Sequence, residues 1–329
     1  MIVPNYWAEA IIKYKEGSRK VTIKRFGWSD INQEDAQLEA QKRADDALND
    51  WLAGKLITFR EKKIYYNGAD GLPIREQVIS RHNDVVITRN SYGALCLNTP
   101  DVMFADIDFD GDFSIEGSCL SPLLYFIFSI AFIVSLLKGY YEAAVLFTGL
   151  FCLLFITNKI RKKLEKPIEH NNSKIIDDHL KKIELFLEKY PKWGVRVYET
   201  PAGLRLLITH KTMQPNDSEV DLFFKLMDVD PVYARMCKNQ QCFRARVTPK
   251  PWRINMNQHI TPQSGNWPIK EQYLTIREDW VKEYSNKAKD FAACRFIKSI
   301  GNATVDDKVA EIIKLHDELS KANTDLAIA

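Results

Sequence analysis

Asp101-Val-Met-Phe-Ala-Asp-Ile-Asp-Phe-Asp110 is an apolar strand that turns acidic partway along. Side chains alternate faces on a strand, so Met103, Ala105, Ile107 and Phe109 share one side. Val102, Phe104, Asp106, Asp108 and Asp110 share the other, which begins apolar and ends in three carboxylates. Aspartate is depleted in strands, and same-face neighbours lie roughly 7 Å apart. At an effective dielectric of 20 such a pair repels by about 2.5 kcal/mol. A divalent cation held by oxygen ligands would offset that repulsion, and a solvated strand end running into a turn at Asp110-Gly-Asp112 is the simpler alternative.

A second constellation is Tyr198-Glu-Thr-Pro-Ala-Gly-Leu-Arg-Leu-Leu-Ile-Thr-His210. Here a glycine turn, Thr200 to Gly203, leads into a strand whose second residue is Arg205. Turn amides beside a fixed cation suit a phosphate group. Arg205 and His210 fall on opposite faces of a regular strand, and Arg205 is the one beside the turn. A surface salt bridge is the competing role for it.

The third runs from Asp228 to Arg253. No Asp or Glu occurs between Pro231 and Lys270, while seven Lys or Arg residues do. Phe243 and Trp252 interleave with the cations, as on a surface that meets bases and phosphates. Arg244 and Arg246, two apart on a strand, point the same way, with Lys250 just beyond. The alternative partner for such a face is anionic lipid.

The order of these segments resembles the catalytic core of archaeo-eukaryotic primases and primase-polymerases. That family's Asp-x-Asp strand is matched by Asp106-Ile-Asp108. Its glycine turn opening a strand is matched by Thr200-Pro-Ala-Gly-Leu-Arg205, with Arg205 standing where the family has histidine. Its third acid is matched by Asp230, with Asp228 as the competing choice, followed by Arg244 and Lys250. The resemblance spans roughly residues 85–255. It implies that Asp106, Asp108 and Asp230 ligate Mg²⁺ or Mn²⁺ as catalytic metals. It also implies that Thr200, Gly203 and Arg205 meet the incoming triphosphate, and that Arg244, Arg246 and Lys250 hold phosphates or nucleic acid. Two-metal nucleotidyl transfer needs such clustered carboxylates with cations on the non-reacting phosphates.

Between the first two motifs lies a segment unlike the rest. Leu120 to Leu137 carries no charge in 18 residues, Lys138-Gly-Tyr-Tyr-Glu142 follows, and Ala143 to Ile156 is again uncharged. Each run suits a helix of roughly 25 Å, so residues 120–158 are expected to form a transmembrane hairpin. Arg161, Lys162, Lys163 and Lys166 after it put both ends on the cytoplasmic side of the inner membrane. A buried hairpin or a dimerisation element is the alternative.

The remainder reads as α+β, with a primase-polymerase-like (RRM-like) sheet-and-helix core interrupted by the hairpin. Residues 1–60 form a β-hairpin and a helix capped at Ser29 or Asp30. Residues 61–119 and 170–275 are the two halves of the core, and 276–329 are C-terminal helices. A hydrophobic fraction of 46% and a charged fraction of 27% exclude a disordered chain. The net charge of +3 is too small to name a partner. Six scattered cysteines and a charged opening fit a reduced, intracellular setting, and Cys237 with Cys242 lacks the second pair a zinc site needs. The function expected is a membrane-anchored, metal- and nucleotide-binding protein, possessing nucleotidyltransferase activity if its acids are complete. A non-enzymatic assembly module and a metal-dependent nuclease or phosphohydrolase are the alternatives.

Overall fold

The computed structural model describes residues 3–17, 19–61, 72–109, 132, 137–142, 172–256, 258–261 and 267–329. The chain divides into two compact units, Met1–Asp108 with Lys182–Ala329, and Phe109–Lys181. The second unit is known here mainly through the start of helix α2 (Asn172–Lys189). All that follows concerns the first.

Strands β1 (Tyr6–Glu16) and β2 (Arg19–Ser29) form an antiparallel ribbon in register from Tyr6↔Ser29 to Glu16↔Arg19. Helix α1 (Gln33–Leu52) lies on it through Ala36, Ala40, Ala44 and Ala47, all buried. Its N-cap is Asn32, whose side chain accepts from the Asp35 amide at 2.7 Å, rather than Ser29 or Asp30. Alanines let the helix come so close that a Cβ on Gly27 would sit 2.2 Å from the Ala36 carbonyl oxygen.

Two four-stranded antiparallel sheets carry the rest, rather than one sheet-and-helix core. In the first, β3 (Gln77–His82), β4 (Val85–Arg89) and β5 (Leu95–Thr99) follow one another, and β9 (Phe243–Arg246) joins the edge beside β5. In the second the order is β11-β7-β8-β6, from β6 (Phe104–Asp108), β7 (Gly194–Thr200), β8 (Gly203–Ile208) and β11 (Arg295–Gly301). Helices α3 (Ser218–Leu226), α4 (Pro231–Gln240), α5 (Leu274–Lys287) and α6 (Asp307–Ser320) complete the unit. A short parallel pair, β10 (Phe291–Ala292) with β12 (Ala327–Ile328), ties down the C-terminus. Val195, Val197, Leu204, Leu206, Leu207 and Phe104 of the second sheet are fully buried.

Three expectations need correction. Among the described residues no helix is long and apolar enough to cross a membrane. The hairpin of residues 120–158 lies outside the described residues except for 132 and 137–142. The membrane anchor, the inner-membrane placement and the hairpin as part of the fold are therefore set aside. The region after Glu278 is not purely helical, because Arg295–Gly301 pairs with β7 as an edge strand. Its alternation was hidden by charged residues, and only the partner strand makes it β. Helix α4 was also unforeseen, although Asp230-Pro231 is a strong opening for one.

Candidate functional site

The acidic end of β6 and the basic strand β9 stand at neighbouring edges of the two sheets, and a pocket of about 250 Å³ opens between them. It is lined by Asp106, Asp108, Thr200, Ala202, Arg205, Asp230, Arg244, Arg246 and Lys250, together with Glu76, Tyr92 and Trp252. The acids, the turn and the basic segment, far apart in the chain, thus meet in one place.

The register of β6 on β8 decides what the first acid does. Asp106 lies directly opposite Arg205, and Asp108 opposite Gly203. Cross-strand partners on one face touch, so the two charges form a bidentate pair, Nε to Oδ1 at 2.7 Å and Nη2 to Oδ2 at 2.9 Å. Arg205 is 2% exposed. Burial works against its charge, but Asp106 more than offsets that and holds the guanidinium ionised. Its Nη1 donates to the Arg246 carbonyl oxygen at 2.7 Å, which fastens β8 to β9. Behind it stands fully buried His316 on α6, with Nε2 3.4 Å from Nη1 and Nδ1 3.1 Å from Asp317 Oδ1. Asp317 also accepts from the Tyr198 hydroxyl at 2.7 Å and from Arg196 at 2.6 Å. Arg205 is therefore a strut joining the two sheets and α6. Its guanidinium, expected to meet a triphosphate, lines the pocket and is engaged by Asp106 and by the Arg246 carbonyl oxygen.

Arg244 is spent in the same way. It donates to both oxygens of buried Glu76, at 2.8 and 2.6 Å, and to Asn98 Oδ1 at 2.9 Å. Glu76 also accepts from the Thr88 hydroxyl at 2.7 Å. Glu76, Tyr92 and His316 escaped the sequence reading because each is a lone residue with no motif around it. Their roles come only from strands and helices that meet across the fold.

Asp230 caps α4, accepting from the Val232 amide at 2.8 Å, and still lines the pocket. Asp228 does not line it and pairs instead with Lys182. Gly203 is used for close packing: a Cβ there would stand 1.9 Å from the Ile107 carbonyl oxygen. Of the turn, Thr200 and Ala202 face the cavity.

Among the described residues no three His, Cys, Asp or Glu side chains are grouped to hold a metal ion. The expected Mg²⁺ or Mn²⁺ centre on Asp106, Asp108 and Asp230 is thus not preformed. The physical reason is that both oxygens of Asp106 already accept from Arg205, so the cation answering that carboxylate is a guanidinium. Asp108 has no such partner in its strand register, where it faces Gly203. Its pKa is raised, first by the protein crowding around it and then by Asp106 and Asp230, against the opposing pull of Lys250 and Arg246.

Cations from the basic segment face these acids. Arg246 donates to the Thr248 carbonyl oxygen at 3.2 Å, and Lys250 Nζ lies 5.5 Å from the Trp252 ring centre. Trp252 is the second residue of the 3-10 turn Pro251–Ile254 and is 45% exposed at the rim. Tyr92 meets it edge-on at 5.2 Å and His259 stacks at 5.4 Å, so its ring is held in place at the surface. Cys96, Cys237, Cys242 and Cys294 are buried free thiols.

Comparison with family models, with curated proteins and with solved structures finds no match to this chain.

Proposed function

We propose that the pocket binds the phosphates of a nucleotide or of a single nucleic-acid strand, with Arg246 and Lys250 meeting them and Trp252 carrying a base. What carries this reading is one observation: two cations of the acid-free segment and a half-exposed tryptophan share the rim of a single polar pocket. Arg205 and Arg244, neutralised by Asp106 and Glu76, form the rigid wall behind them. A cavity of about 250 Å³ is smaller than the roughly 300–1,000 Å³ of typical small-ligand sites. It suits phosphate groups inside and a base outside, stacked on Trp252, a contact worth about 1–3 kcal/mol. The primase-polymerase resemblance points to the same ligand class.

The role of Asp108 separates this reading from its rivals. As an acid facing a phosphate it opposes binding, so Asp108→Asn should tighten binding of a short single-stranded oligothymidylate about 3- to 10-fold. Arg246→Met and Lys250→Met should each weaken it about 10-fold or more. Lowering the pH through the raised pKa of Asp108 adds a proton and removes the repelling charge. Binding should strengthen over that window in the wild type and stay flat in Asp108→Asn. Phosphodiesters remain ionised throughout, so the titration belongs to the protein. Fluorescence anisotropy with the oligonucleotide, with a nucleoside triphosphate as competitor, reads all of this, and affinity should persist in EDTA. Loss of binding in Asp108→Asn or in EDTA would mean that the ligand is held another way and would end this proposal.

A further inference from the structure

Beside the pocket, and sharing Glu76, Asn90 and Ser91 with it, lies a much smaller cavity of about 10 Å³. Arg89 at the end of β4 and Arg277 on α5 converge on it, each 7% exposed, with Gln77 and Trp267 completing the wall. Two buried guanidinium groups in one cavity normally come with a carboxylate. Among the described residues the one acid on the lining is Glu76, whose oxygens already accept from Arg244 and Thr88. Arg277, among the described residues, donates to Gln77 Oε1, at 3.2 and 3.1 Å, and leans over the Trp267 ring at 5.4 Å. Arg89 gives one N–H to the Gly93 carbonyl oxygen at 2.8 Å, while its buried Nε has no hydrogen-bond partner. Burial, and then Arg89 beside it, lower the pKa of Arg277 to about 10. Two positive charges are therefore packed together with an orphaned donor between the sheet and the helix.

We propose that this notch is an anion-binding site for a small monovalent ion of chloride's size. Roughly one water-sized particle fits, which excludes a nucleotide. The charge and the unused Nε call for an anion, and the size excludes any but a monatomic one. Its position makes it a clamp: it would hold α5 against β4 next to Ser91, on the wall of the phosphate pocket. The site stands on its own residues and does not depend on what that pocket binds.

Chloride-35 NMR on the full chain tests it, with ionic strength held constant by gluconate, which is too large to enter. The wild type should broaden the chloride line in a saturable way, and added bromide should reverse the broadening. Arg277→Gln, and independently Arg89→Gln, should reduce the excess broadening at least fivefold while circular dichroism shows both variants folded. Lys250→Met, which alters only the neighbouring pocket, should leave it unchanged. Equal broadening in wild type and both arginine variants would overturn the proposal. So would loss of the signal in Lys250→Met, or displacement by inorganic phosphate but not by bromide.

Discussion

Asp106→Ala should destabilise the fold by about 3–5 kcal/mol, the cost of leaving a buried ion without its partner. Arg205 is almost fully buried, and without Asp106 it keeps only the Arg246 carbonyl oxygen and a long contact to His316. The double variant Asp106→Leu/Arg205→Leu removes both charges and should recover at least half of that loss. Recovery will be incomplete because the Arg246 carbonyl oxygen and His316 lose a donor. Urea unfolding of the two singles and the double closes the cycle. A single variant Asp106→Ala within about 1 kcal/mol of wild type would show that the pair is not buried as described. The same variant separates structure from chemistry: if Asp106 is a strut, ligand affinity falls only as far as the pocket wall loosens.

Gly203→Ala should be nearly as damaging, at about 3 kcal/mol or more, and should harm the pocket with the fold. The added methyl would stand 1.9 Å from the Ile107 carbonyl oxygen, a backbone atom that cannot swing aside. Strand β6 must separate from β8 to admit it. Because Gly203 lies opposite Asp108 and Arg205 opposite Asp106, the same movement unseats the acid that lines the pocket and the strut beneath it. Thermal unfolding and oligonucleotide affinity should therefore fall together. A Gly203→Ala variant with wild-type melting and wild-type binding would contradict the close approach of these strands.

The acidic strand was legible because alternation is local: Phe104, Asp106 and Asp108 share a face whatever surrounds them. The hairpin of β7 and β8 was legible for the same reason, through its Pro201-Ala202 turn. Register between distant strands was not legible. Arg205 and Asp106 are 99 residues apart, and Arg244 and Glu76 are 168 apart, so nothing nearby marks them as partners. The third acid shows the trap most clearly. Asp230 was weighed as a metal ligand, while the proline after it signalled the helix that it caps. The strand Arg295–Gly301 shows another, since its charges mask an alternation that β7 alone resolves.

By itself, then, the amino-acid sequence determined which side chains carry charge, which of them share a strand face, and where the chain turns. Those properties follow from φ/ψ sterics and from alternation over a few residues. Tertiary structure alone decided which opposite charge each one meets. The strength of a charge in a protein depends on the distance to its partner and on the water excluded between them, and both are set by strands brought together from remote parts of the chain. That is why three acids and four cations spelled a metal centre when read in line, while in the fold Arg205 closes on Asp106 and Arg244 on Glu76, an acid outside those motifs.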